Sequence, residues 1–459
     1  MANLFGTDGV RGVANVEPMS PETAMAIGRA AAEVLTTPGL EAKPRFVVGR
    51  DTRLSGTMLE AALTAGLCSA GVDVLQLGVI PSGGVAHLTR QLQAAAGVMV
   101  SASHNPYADN GIKFFSPSSA KIDAELEEEI EARLQDSPEA LYRPTGKAVG
   151  RSQPHLPAAR HYADFLKSTF RSTCPVQLRI GLDCANGAAS HMAPALFEEL
   201  GAQVSALHAE PDGVNINQQC GSLYPESLQQ HVLAQNLDVG FAFDGDADRL
   251  TVVDHTGEVL DGDNILVICA EMLLEVGHLA PRTVVSTVMA NWGLKQALQG
   301  LDCTLHTVQV GDKHVVQGMR QTGAVMGGEP SGHVIFSEHL ETSDGLLTAL
   351  QLLQAMQRRQ AAMADLAGSF RRFPQVLTNV RLSKRRDPLS FPSVRLAIDH
   401  AERALGEAGR VLVRLSGTEP VARVLLEGPK VSTLTPLASD ICQAIEAELG
   451  IPENPFADC

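Results

Sequence analysis

The chain has 459 residues, of which 44% are hydrophobic and 19% are charged, a balance typical of globular proteins and unlike that of disordered chains. Its 36 lysines and arginines against 52 aspartates and glutamates give a formal net charge of −16, which argues against a protein that binds nucleic acid through its phosphates. At roughly 100–200 residues per domain, the length predicts two to four domains.

Membrane and secretory segments are not indicated by the sequence. The most apolar stretch, residues 265–276, is interrupted by Glu271 and Glu275 and is shorter than the ~20 residues of a membrane span. The first twelve residues carry no apolar segment of the kind that a secretory signal needs. Eight cysteines without a CxxC pair are typical of reduced thiols. We therefore expect a cytoplasmic protein without nucleic-acid or membrane partners.

Alternating apolar runs and amphipathic segments predict three successive α/β regions and a smaller tail. The first region is predicted to hold strands at residues 46–49, 72–77, 97–101 and 112–115, with helices at 58–71 and 123–134. The second is predicted to hold helices at 160–170 and 188–200, with strands at 178–183, 204–207 and 239–243. The third is predicted to hold helices at 264–276, 292–298 and 346–358, with strands at 284–288 and 305–310. The tail is predicted to hold strands at 376–382, 411–415 and 422–426, with helices at 394–405 and up to residue 449.

Two stretches mark domain boundaries. Residues 136–157 are rich in proline, glycine and serine and lack periodicity, and residues 367–372 lead into the tail. We expect four domains, over residues 1–150, 151–255, 256–370 and 371–459. The first three regions share a layout but no repeat of residues.

The first of four polar loops reads VSASHNP at residues 100–106, directly after an apolar strand. Ligands of α/β proteins bind outside the carboxyl ends of strands, where a small hydroxyl group can be presented as a nucleophile. Ser103 is therefore a candidate nucleophile. On spacing alone, a structured turn is the commoner alternative.

The second loop reads FDGDADR at residues 243–249, again after an apolar run. Asp244, Asp246 and Asp248 stand at alternate positions, and hard oxygen ligands at this density suit Mg²⁺ or a similar divalent ion. The segment is not an EF-hand loop, because His255 stands where the twelfth-position glutamate is needed. An exposed acidic turn is the alternative.

The third loop reads MGGEPSGH at residues 326–333, with glycines that let a ligand approach the backbone. Glu329 accepts hydrogen bonds and Ser331 both donates and accepts them, which is what the hydroxyls of a sugar require. A tight turn between strands is the alternative, and a lone histidine such as His333 is more often a packing residue than an acid or base.

The fourth loop reads RLSGTEP at residues 414–420, and Arg423 follows closely. Guanidinium groups, hydroxyls and backbone N–H groups around a glycine can form a phosphate site. An ordinary hairpin turn is the alternative. The candidate residues are Arg414, Ser416, Gly417, Thr418 and Arg423.

In this order and one per domain, the four loops resemble those of the α-D-phosphohexomutase superfamily, over essentially the whole chain. The opening FGTDGVRG at residues 5–12, DNGIKFF at 109–115 and DGLLTAL at 344–350 resemble its aminosugar branch. Three departures from that branch stand out: Pro330 where glutamine is usual, Lys313-His314 where Arg-Tyr is common, and Ser343 where glycine is usual. The first departure lies in the loop that resembles a sugar-binding loop.

The resemblance implies an α/β protein of four domains around a central cleft. Three similar α/β sandwich units with mixed sheets would precede a smaller α+β C-terminal domain. The four domains would carry, in order, the phosphoserine, the metal ion, the sugar-binding loop and the phosphate-binding loop.

The resemblance also implies an activity, the interconversion of glucosamine 6-phosphate and glucosamine 1-phosphate, which feeds UDP-N-acetylglucosamine synthesis. The reaction would use a phosphoserine enzyme and a bisphosphorylated hexose, glucosamine or glucose 1,6-bisphosphate, as intermediate or activator. The partner would be a small phosphosugar, and the protein a monomer or homodimer. Two alternatives stay open: a phosphomannomutase/phosphoglucomutase with the same mechanism, and a noncatalytic sugar-phosphate sensor.

The resemblance implies a role for each candidate residue. Ser103 would be phosphorylated and, with Asp244, Asp246 and Asp248, would hold Mg²⁺. Proton transfer would fall to Lys113, His333 or Arg11, and Arg249 would position the serine phosphate. Glu329 and Ser331 would bind sugar hydroxyls. The phosphate that does not react would be held by Arg414, Ser416, Gly417, Thr418 and Arg423.

Overall fold

The computed structural model describes residues 4–6, 8–36, 43–135, 142–172, 174–415 and 420–450. The chain forms two compact units, one of Met1–Ala290 with Leu301–Ser369 and one of Asn291–Gly300 with Phe370–Cys459. The larger unit holds three mixed sheets and the smaller unit one antiparallel sheet. Among the helices of the described segments, none has the length and apolar character needed to cross a membrane.

The first sheet has six strands in the order β1-β5-β4-β2-β3-β6. Its strands are β1 (Val10–Val13), β2 (Arg45–Arg50), β3 (Asp73–Val79), β4 (Ala96–Val100), β5 (Asp109–Phe115) and β6 (Ser152–Pro154). The accompanying helices are α1 (Pro21–Val34), α2 (Gly56–Ser69), α3 (Ser82–Gln91) and α4 (Ala124–Leu134). Every residue of β4 is buried, and burial continues through Ser101 and Ser103 in the loop that follows.

Glycine sets the close packing of two helices against this sheet. A Cβ atom on Gly66 of α2 would lie 2.1 Å from the carbonyl oxygen of Met25 in α1. No other residue type allows the two helix backbones to approach this closely. The contact fixes the layer of helices that covers one face of the sheet.

The second and third sheets follow along the chain. The second holds β7 (Arg179–Asp183), β8 (Gln203–Leu207), β9 (Val239–Phe243), β10 (Leu250–Asp254) and β11 (Val259–Leu260), with helices α5 (Ala158–Thr169), α6 (Ala193–Glu199) and α7 (Glu226–Gln235). The third holds β12 (Thr283–Thr287), β13 (Thr304–Val308), β14 (Met326–Gly328) and β15 (Val334–Phe336). Its stretch of chain includes helices α8 (Gly262–Glu275), α9 (Trp292–Gly300), α10 (Asp312–Thr322), α11 (Gly345–Arg359) and α12 (Met363–Ala367).

The three mixed sheets repeat one strand order. In each, a first strand (β2, β7 or β12) is parallel to the next two strands of the chain, and the third strand pairs with an antiparallel fourth. The connection from third to fourth strand is residues 101–108 in the first sheet, 244–249 in the second and 329–333 in the third. The serine, aspartate and sugar loops therefore occupy the same topological position in three α/β units.

The C-terminal unit is built on a three-stranded antiparallel sheet of order β16-β18-β17. Its elements are β16 (Gln375–Arg381), β17 (Arg410–Leu415), β18 (Val421–Glu427), α13 (Pro392–Leu405) and α14 (Val431–Leu449). Helix α9 belongs to this unit although it precedes β13 in the chain. Asn291 Nδ2 and the backbone N–H of Trp292 each donate to the carboxylate of Glu427, at 3.2 Å. Single 3₁₀ turns lie at Gly146–Ala148, Gly221–Leu223, Pro388–Ser390 and Gly406–Ala408.

The predicted fold class is confirmed in its three mixed α/β sheets and smaller C-terminal unit, while the central cleft stays a prediction. One helix was predicted too long. The helix expected over residues 188–200 spans only Ala193–Glu199, because the preceding segment forms turns after Ala185 and Asn186, which have φ angles of 52° and 49°. Helices α1, α3, α7, α10 and α12 were not predicted.

Candidate active site

Ser103 lies in the loop that follows β4 and is buried, with 1% of its surface exposed. Its backbone has a φ angle of 51°, in the left-handed region that residues with a side chain seldom adopt. The side-chain Oγ donates a hydrogen bond to Asp244 Oδ2 at 2.5 Å. The structure thus brings together the predicted nucleophile and the predicted metal loop, which are 141 residues apart in the chain.

The three aspartates after β9 converge. Asp244, Asp246 and Asp248 are all buried, and each offers a carboxylate oxygen within 4.8 Å of those of the other two. The loop curls because Ala247 donates its backbone N–H to the carbonyl of Asp244 at 3.0 Å, with φ of 57° at Ala247. Ser82, at the start of α3, donates to Asp246 Oδ2 at 2.5 Å. The alternative of an exposed acidic turn is excluded by this burial.

Lys113 on β5 supplies positive charge to this cluster. Its Nζ lies 2.5 Å from Asp246 Oδ2 and 3.0 Å from Asp248 Oδ2. Burial lowers the pKa of Lys113, but the two carboxylates outweigh it and raise the pKa well above its ordinary value. Burial together with the charges of Asp248 and Asp246 raises the pKa of Asp244 to about 7. One lysine therefore does not neutralise three buried carboxylates.

The donor set fits a hard divalent cation. Asp246 Oδ1 is buried and has no hydrogen-bond partner in the described part of the chain. Burial, and then the charges of Asp248 and Asp246, raise the pKa of Asp244, and a bound cation would offset both effects. Three carboxylates, with oxygen as the only donor atom, are the ligands that Mg²⁺ prefers. The residues present are thus suited to hold such an ion.

The sugar loop adjoins the aspartates through His333. The Nε2 atom of His333 lies 3.1 Å from Asp248 Oδ1, and its Nδ1 lies 3.0 Å from Glu329 Oε2. Burial lowers the pKa of His333, but the neighbouring Asp248 carboxylate outweighs it and raises the pKa to about 9. Glu329 also accepts the backbone N–H of Gly311 at 3.0 Å. Ser331 is exposed, with its Oγ 3.5 Å from His333 Nδ1.

Two predicted arginines lie beside this cluster. The backbone N–H of Arg249 donates to Asp244 Oδ1 at 3.2 Å, and its Nε lies 3.1 Å from His333 Nε2. Arg11, on β1, forms an ion pair with Asp8. Burial lowers the pKa of Arg11, but the carboxylates of Asp8 and the aspartate loop outweigh it and raise the pKa. Both arginines therefore add positive charge near Ser103.

The predicted phosphate site lies in the C-terminal unit. Arg414 on β17 and Arg423 on β18 are direct partners across the antiparallel pair. Burial, and then the charge of Arg423, lowers the pKa of Arg414, and the Nε atom of Arg423 is buried without a hydrogen-bond partner in the described residues. Like charges in this register repel each other unless an anion lies between them. Ser416, Gly417 and Thr418 lie outside the described residues.

Sequence reasoning missed several residues at the site. His104 Nδ1 lies 3.3 Å from Ser103 Oγ, and burial, with the charges of Arg249 and Arg11, lowers the pKa of His104 to about 4. Its imidazole is therefore neutral near pH 7. The signal was available, because the histidine directly follows the serine. Arg53 and Asn217, which bind the backbone of the serine loop, gave no local signal.

Comparison with known proteins agrees with these observations. Models of the phosphoglucomutase/phosphomannomutase family match in four parts: α/β/α domain I over residues 2–140, domain II over 160–257, domain III over 261–373 and the C-terminal domain over 377–444. The phosphoglucosamine mutase of Desulforamulus reducens is 48% identical over 445 residues, which are 97% of this chain and 99% of that protein. The chain belongs to the phosphoglucosamine mutase family. The resemblance to the α-D-phosphohexomutase superfamily is confirmed.

Solved structures of other proteins are similar to this chain in fold. A phosphoglucomutase/phosphomannomutase family protein of Burkholderia thailandensis superposes with a TM-score of 0.81 at 26% identity, covering 98% of this chain and 99% of that one. The N-acetylphosphoglucosamine mutase of Aspergillus fumigatus superposes with a TM-score of 0.69 at 18% identity, covering 96% and 95%. At that identity the likeness shows a common fold.

Proposed function

We propose that the chain interconverts glucosamine 6-phosphate and glucosamine 1-phosphate through a phosphorylated Ser103. The observation that carries the proposal is the 2.5 Å hydrogen bond from Ser103 Oγ to Asp244, within a buried cluster of three aspartates and one lysine. A phosphoryl group on Oγ would lie at a site built for a cation, and transfer of such a group depends mainly on positioning and charge stabilisation.

Two phosphoryl transfers complete the reaction. In the first, a sugar hydroxyl attacks the phosphorus of phosphoserine and its proton passes to a base, while the bond from phosphorus to Ser103 Oγ breaks and Oγ takes up a proton. The bisphosphorylated sugar then turns around, and Ser103 Oγ gives up its proton to a base and attacks the other phosphate. That phosphate leaves its sugar oxygen, which takes up a proton. The phosphoserine is restored and the phosphate has changed position on the sugar.

The aspartate loop and Ser103 would hold the cation. Asp244, Asp246, Asp248 and an oxygen at Ser103 would hold Mg²⁺, which neutralises charge on the transferring phosphoryl oxygens when bound. Lys113 adds a fixed positive charge, and Arg249 adds a second that can orient the serine phosphate. These contributions stabilise the charge that builds up on the phosphoryl group.

Proton transfer would involve the groups around Ser103. His104 is neutral and its Nδ1 lies 3.3 Å from Ser103 Oγ, so it can accept a proton. Lys113 and His333 are protonated and can return one to a sugar oxygen. Arg11 stays charged and contributes electrostatic stabilisation.

Recognition of the sugar would use the third α/β unit. Glu329 is held by the Gly311 N–H and by His333, which fixes its carboxylate for sugar hydroxyls, and the exposed Ser331 can add a second contact. Preference for the amino sugar is supported by relatives of 46–48% identity that are named phosphoglucosamine mutase. Arg414 and Arg423, with the predicted Ser416, Gly417 and Thr418, would bind the phosphate that does not react. The proposal places this enzyme in the cytoplasm, as a monomer or homodimer.

Parallel assays test the substrate. We expect the highest kcat/KM with glucosamine 6-phosphate, compared with glucose 1-phosphate and mannose 1-phosphate, in the presence of Mg²⁺ and a hexose 1,6-bisphosphate. A higher value with either neutral sugar would assign the chain to phosphomannomutase/phosphoglucomutase activity instead.

A single substitution tests the nucleophile. Ser103→Ala should lose nearly all turnover, keep the unfolding temperature of the wild type, and lack the phosphate-sized mass increment expected on the wild type after incubation with bisphosphate. Wild-type turnover in this variant would refute the role of Ser103. Absence of both turnover and phosphate in the wild type would favour a noncatalytic sensor.

A further inference from the structure

The backbone of the serine loop is held as firmly as its hydroxyl. The carbonyl oxygen of Ser103 accepts a hydrogen bond from Arg53 Nη2 at 2.9 Å and a second from Asn217 Nδ2 at 2.7 Å. The carbonyl of Asn105 accepts from the same two side-chain atoms, at 2.8 Å and 3.0 Å. Two side chains that are far apart in sequence thus hold the same two peptide oxygens.

All five N–H groups of the Arg53 guanidinium have acceptors. Its Nη2 donates to the two carbonyls named above, its Nη1 donates to the carbonyls of Asp109, at 3.0 Å, and of Pro106, and its Nε donates to Asp51 Oδ2 at 2.8 Å. The side chain is completely buried, so the Asp51 carboxylate balances its charge. Only the planar fork of arginine provides five donors in this arrangement, whereas lysine provides three.

Asn217 comes from the second α/β unit, between β8 and β9. Its backbone has a φ of 57°, and its Nδ2 donates both N–H groups to the serine loop. Gly245 leaves the space for this contact, since a Cβ atom there would lie 2.5 Å from the Ser103 carbonyl and 2.9 Å from Asn217 Nδ2. Arg53 and Asn217, together called the clamp below, therefore link the serine loop of the first α/β unit to the second α/β unit, beside the aspartates.

The clamp acts on a residue in an unfavourable conformation. Ser103 has a left-handed φ of 51°, which a residue with a side chain keeps only when its surroundings determine it. Its N–H donates to Ser101 Oγ at 2.9 Å, and Ser101 Oγ donates to Asp51 Oδ2 at 2.6 Å. Asp51 therefore balances Arg53 and supports the N–H side of Ser103, while Arg53 and Asn217 fix its carbonyl side.

We propose that Arg53 and Asn217 are positioning residues that hold the Ser103 backbone in its left-handed conformation and so aim Oγ at Asp244. This inference rests on the proposed function, because it assigns a purpose to the orientation of the phosphorylated serine. A reacting atom displaced by about 1 Å can cost roughly a hundredfold in rate. Loss of the clamp should lower the rate of phosphoryl transfer without changing the groups that bind the sugar.

Asn217→Gly is the first test, because glycine keeps the left-handed backbone and removes only the amide. We expect kcat to fall about ten- to a hundredfold, with the KM for glucosamine 6-phosphate within about twofold of wild type. Phosphate transfer from hexose 1,6-bisphosphate to Ser103, followed by intact mass, should slow in parallel. The matched control is Asn236→Gly, since Asn236 also has a left-handed φ, of 49°, but ends helix α7 on the surface. It should keep wild-type kcat.

Arg53→Lys is the second test, because lysine keeps the charge opposite Asp51 but has too few donors for the four carbonyls. We expect a larger fall in kcat than with Asn217→Gly and, again, an unchanged KM. If this variant does not fold, the result with Asn217→Gly alone tests the positioning role. A kcat and a Ser103 phosphorylation rate within about twofold of wild type in Asn217→Gly would overturn the inference. A wild-type enzyme that neither turns over nor takes up phosphate would instead refute the proposed function.

Discussion

The aspartate loop and the arginine pair of the C-terminal sheet carry opposite charges and compensate them to different degrees. Of the three buried carboxylates, Asp246 and Asp248 share Lys113, and Asp248 also faces His333. Arg414 and Arg423 face each other across two strands and form no salt bridge among the described residues. The first region pairs most of its charge within the protein and keeps one carboxylate oxygen, Asp246 Oδ1, without a partner in the described residues. The second pairs none of its charge there. An enzyme that transfers one phosphate while holding another needs both arrangements.

The largest effect is expected in the aspartate loop. Asp246→Asn removes one carboxylate of the cation site, and we expect kcat to fall about 10³-fold, since losing one preorganised electrostatic group costs up to that much. Calorimetry should show weaker Mg²⁺ binding, and added Mg²⁺ should not fully restore activity. The control is Asp302→Asn, whose side chain is 94% exposed. Unchanged kcat and Mg²⁺ affinity would remove Asp246 from the cation site.

Removing Lys113 should separate binding of the cation from turnover. In Lys113→Gln the three carboxylates lose a buried positive charge, so their attraction for Mg²⁺ increases. We expect several-fold tighter Mg²⁺ binding by calorimetry but a kcat about a hundredfold lower, because the charge also stabilises the transferring phosphoryl group. Lys167→Gln serves as control, because Lys167 is only partly buried and pairs with Asp164 and Glu199, outside this cluster. Weaker Mg²⁺ binding in Lys113→Gln would contradict the charge balance described above.

Substitutions in the arginine pair should raise the KM for the substrate. If this pair binds the phosphate as proposed, Arg414→Gln and Arg423→Gln each remove a charge-assisted contact, and we expect KM for every phosphosugar to rise about ten- to a hundredfold. Because the like-charge contact disappears, the unfolding temperature should stay the same or rise. Arg381→Gln, an exposed arginine on the same sheet, is the matched control. A lower unfolding temperature with unchanged KM would show that the arginine pair supports the fold and does not bind the phosphate.

The smallest effect concerns a buried group that belongs to neither region. His87 stacks on Phe165 with ring centroids 3.9 Å apart, and burial, with the charge of Arg90, lowers its pKa to about 4. Since the unfolded chain binds this proton near pH 6.5, the contribution of His87 to stability should fall as the pH drops from 6.5 to 4 and should not change further below pH 4. The loss is on the order of 2–3 kcal/mol.

Replacing His87 should remove that pH dependence. His87→Phe keeps the ring stacking. Between pH 7 and pH 5, we expect its unfolding temperature to fall less than that of the wild type. Turnover at pH 7.5 should be unchanged, because the residue contacts neither the aspartates nor the arginines. Identical pH profiles of unfolding temperature for both proteins would contradict the lowered pKa.

Elements with a clear local pattern could be predicted from the sequence. Strands such as β9, with five buried apolar or small residues, and helix α8, with its aspartate N-cap, were found close to their observed bounds. Helix α3 was missed because its sequence begins SGG, and glycine is a poor helix former. Burial of its first eight residues determines that helix, and burial depends on the completed fold.

The candidate site likewise contains residues that could be predicted from the sequence and residues that could not. Its loops could be found because polar segments directly follow apolar strands in the sequence. The pairing of Lys113 with Asp246, 133 residues apart, has no counterpart in local sequence. Arg53 was invisible for another reason: an arginine in a loop usually indicates a surface residue, and only the folded chain shows five acceptors around it.

Helix α9 gives the chain an unusual modularity. Glu427 is fully buried in the C-terminal unit, and Asn291 and Trp292 supply part of its hydrogen bonding from a segment some eighty residues before β16. A fragment cut at the apparent boundary, near residue 370, would lack these donors and leave a buried carboxylate short of partners. The C-terminal unit consists of two separate segments of the chain. A chimera that exchanged only the last ninety or so residues between homologues would therefore also have to exchange α9.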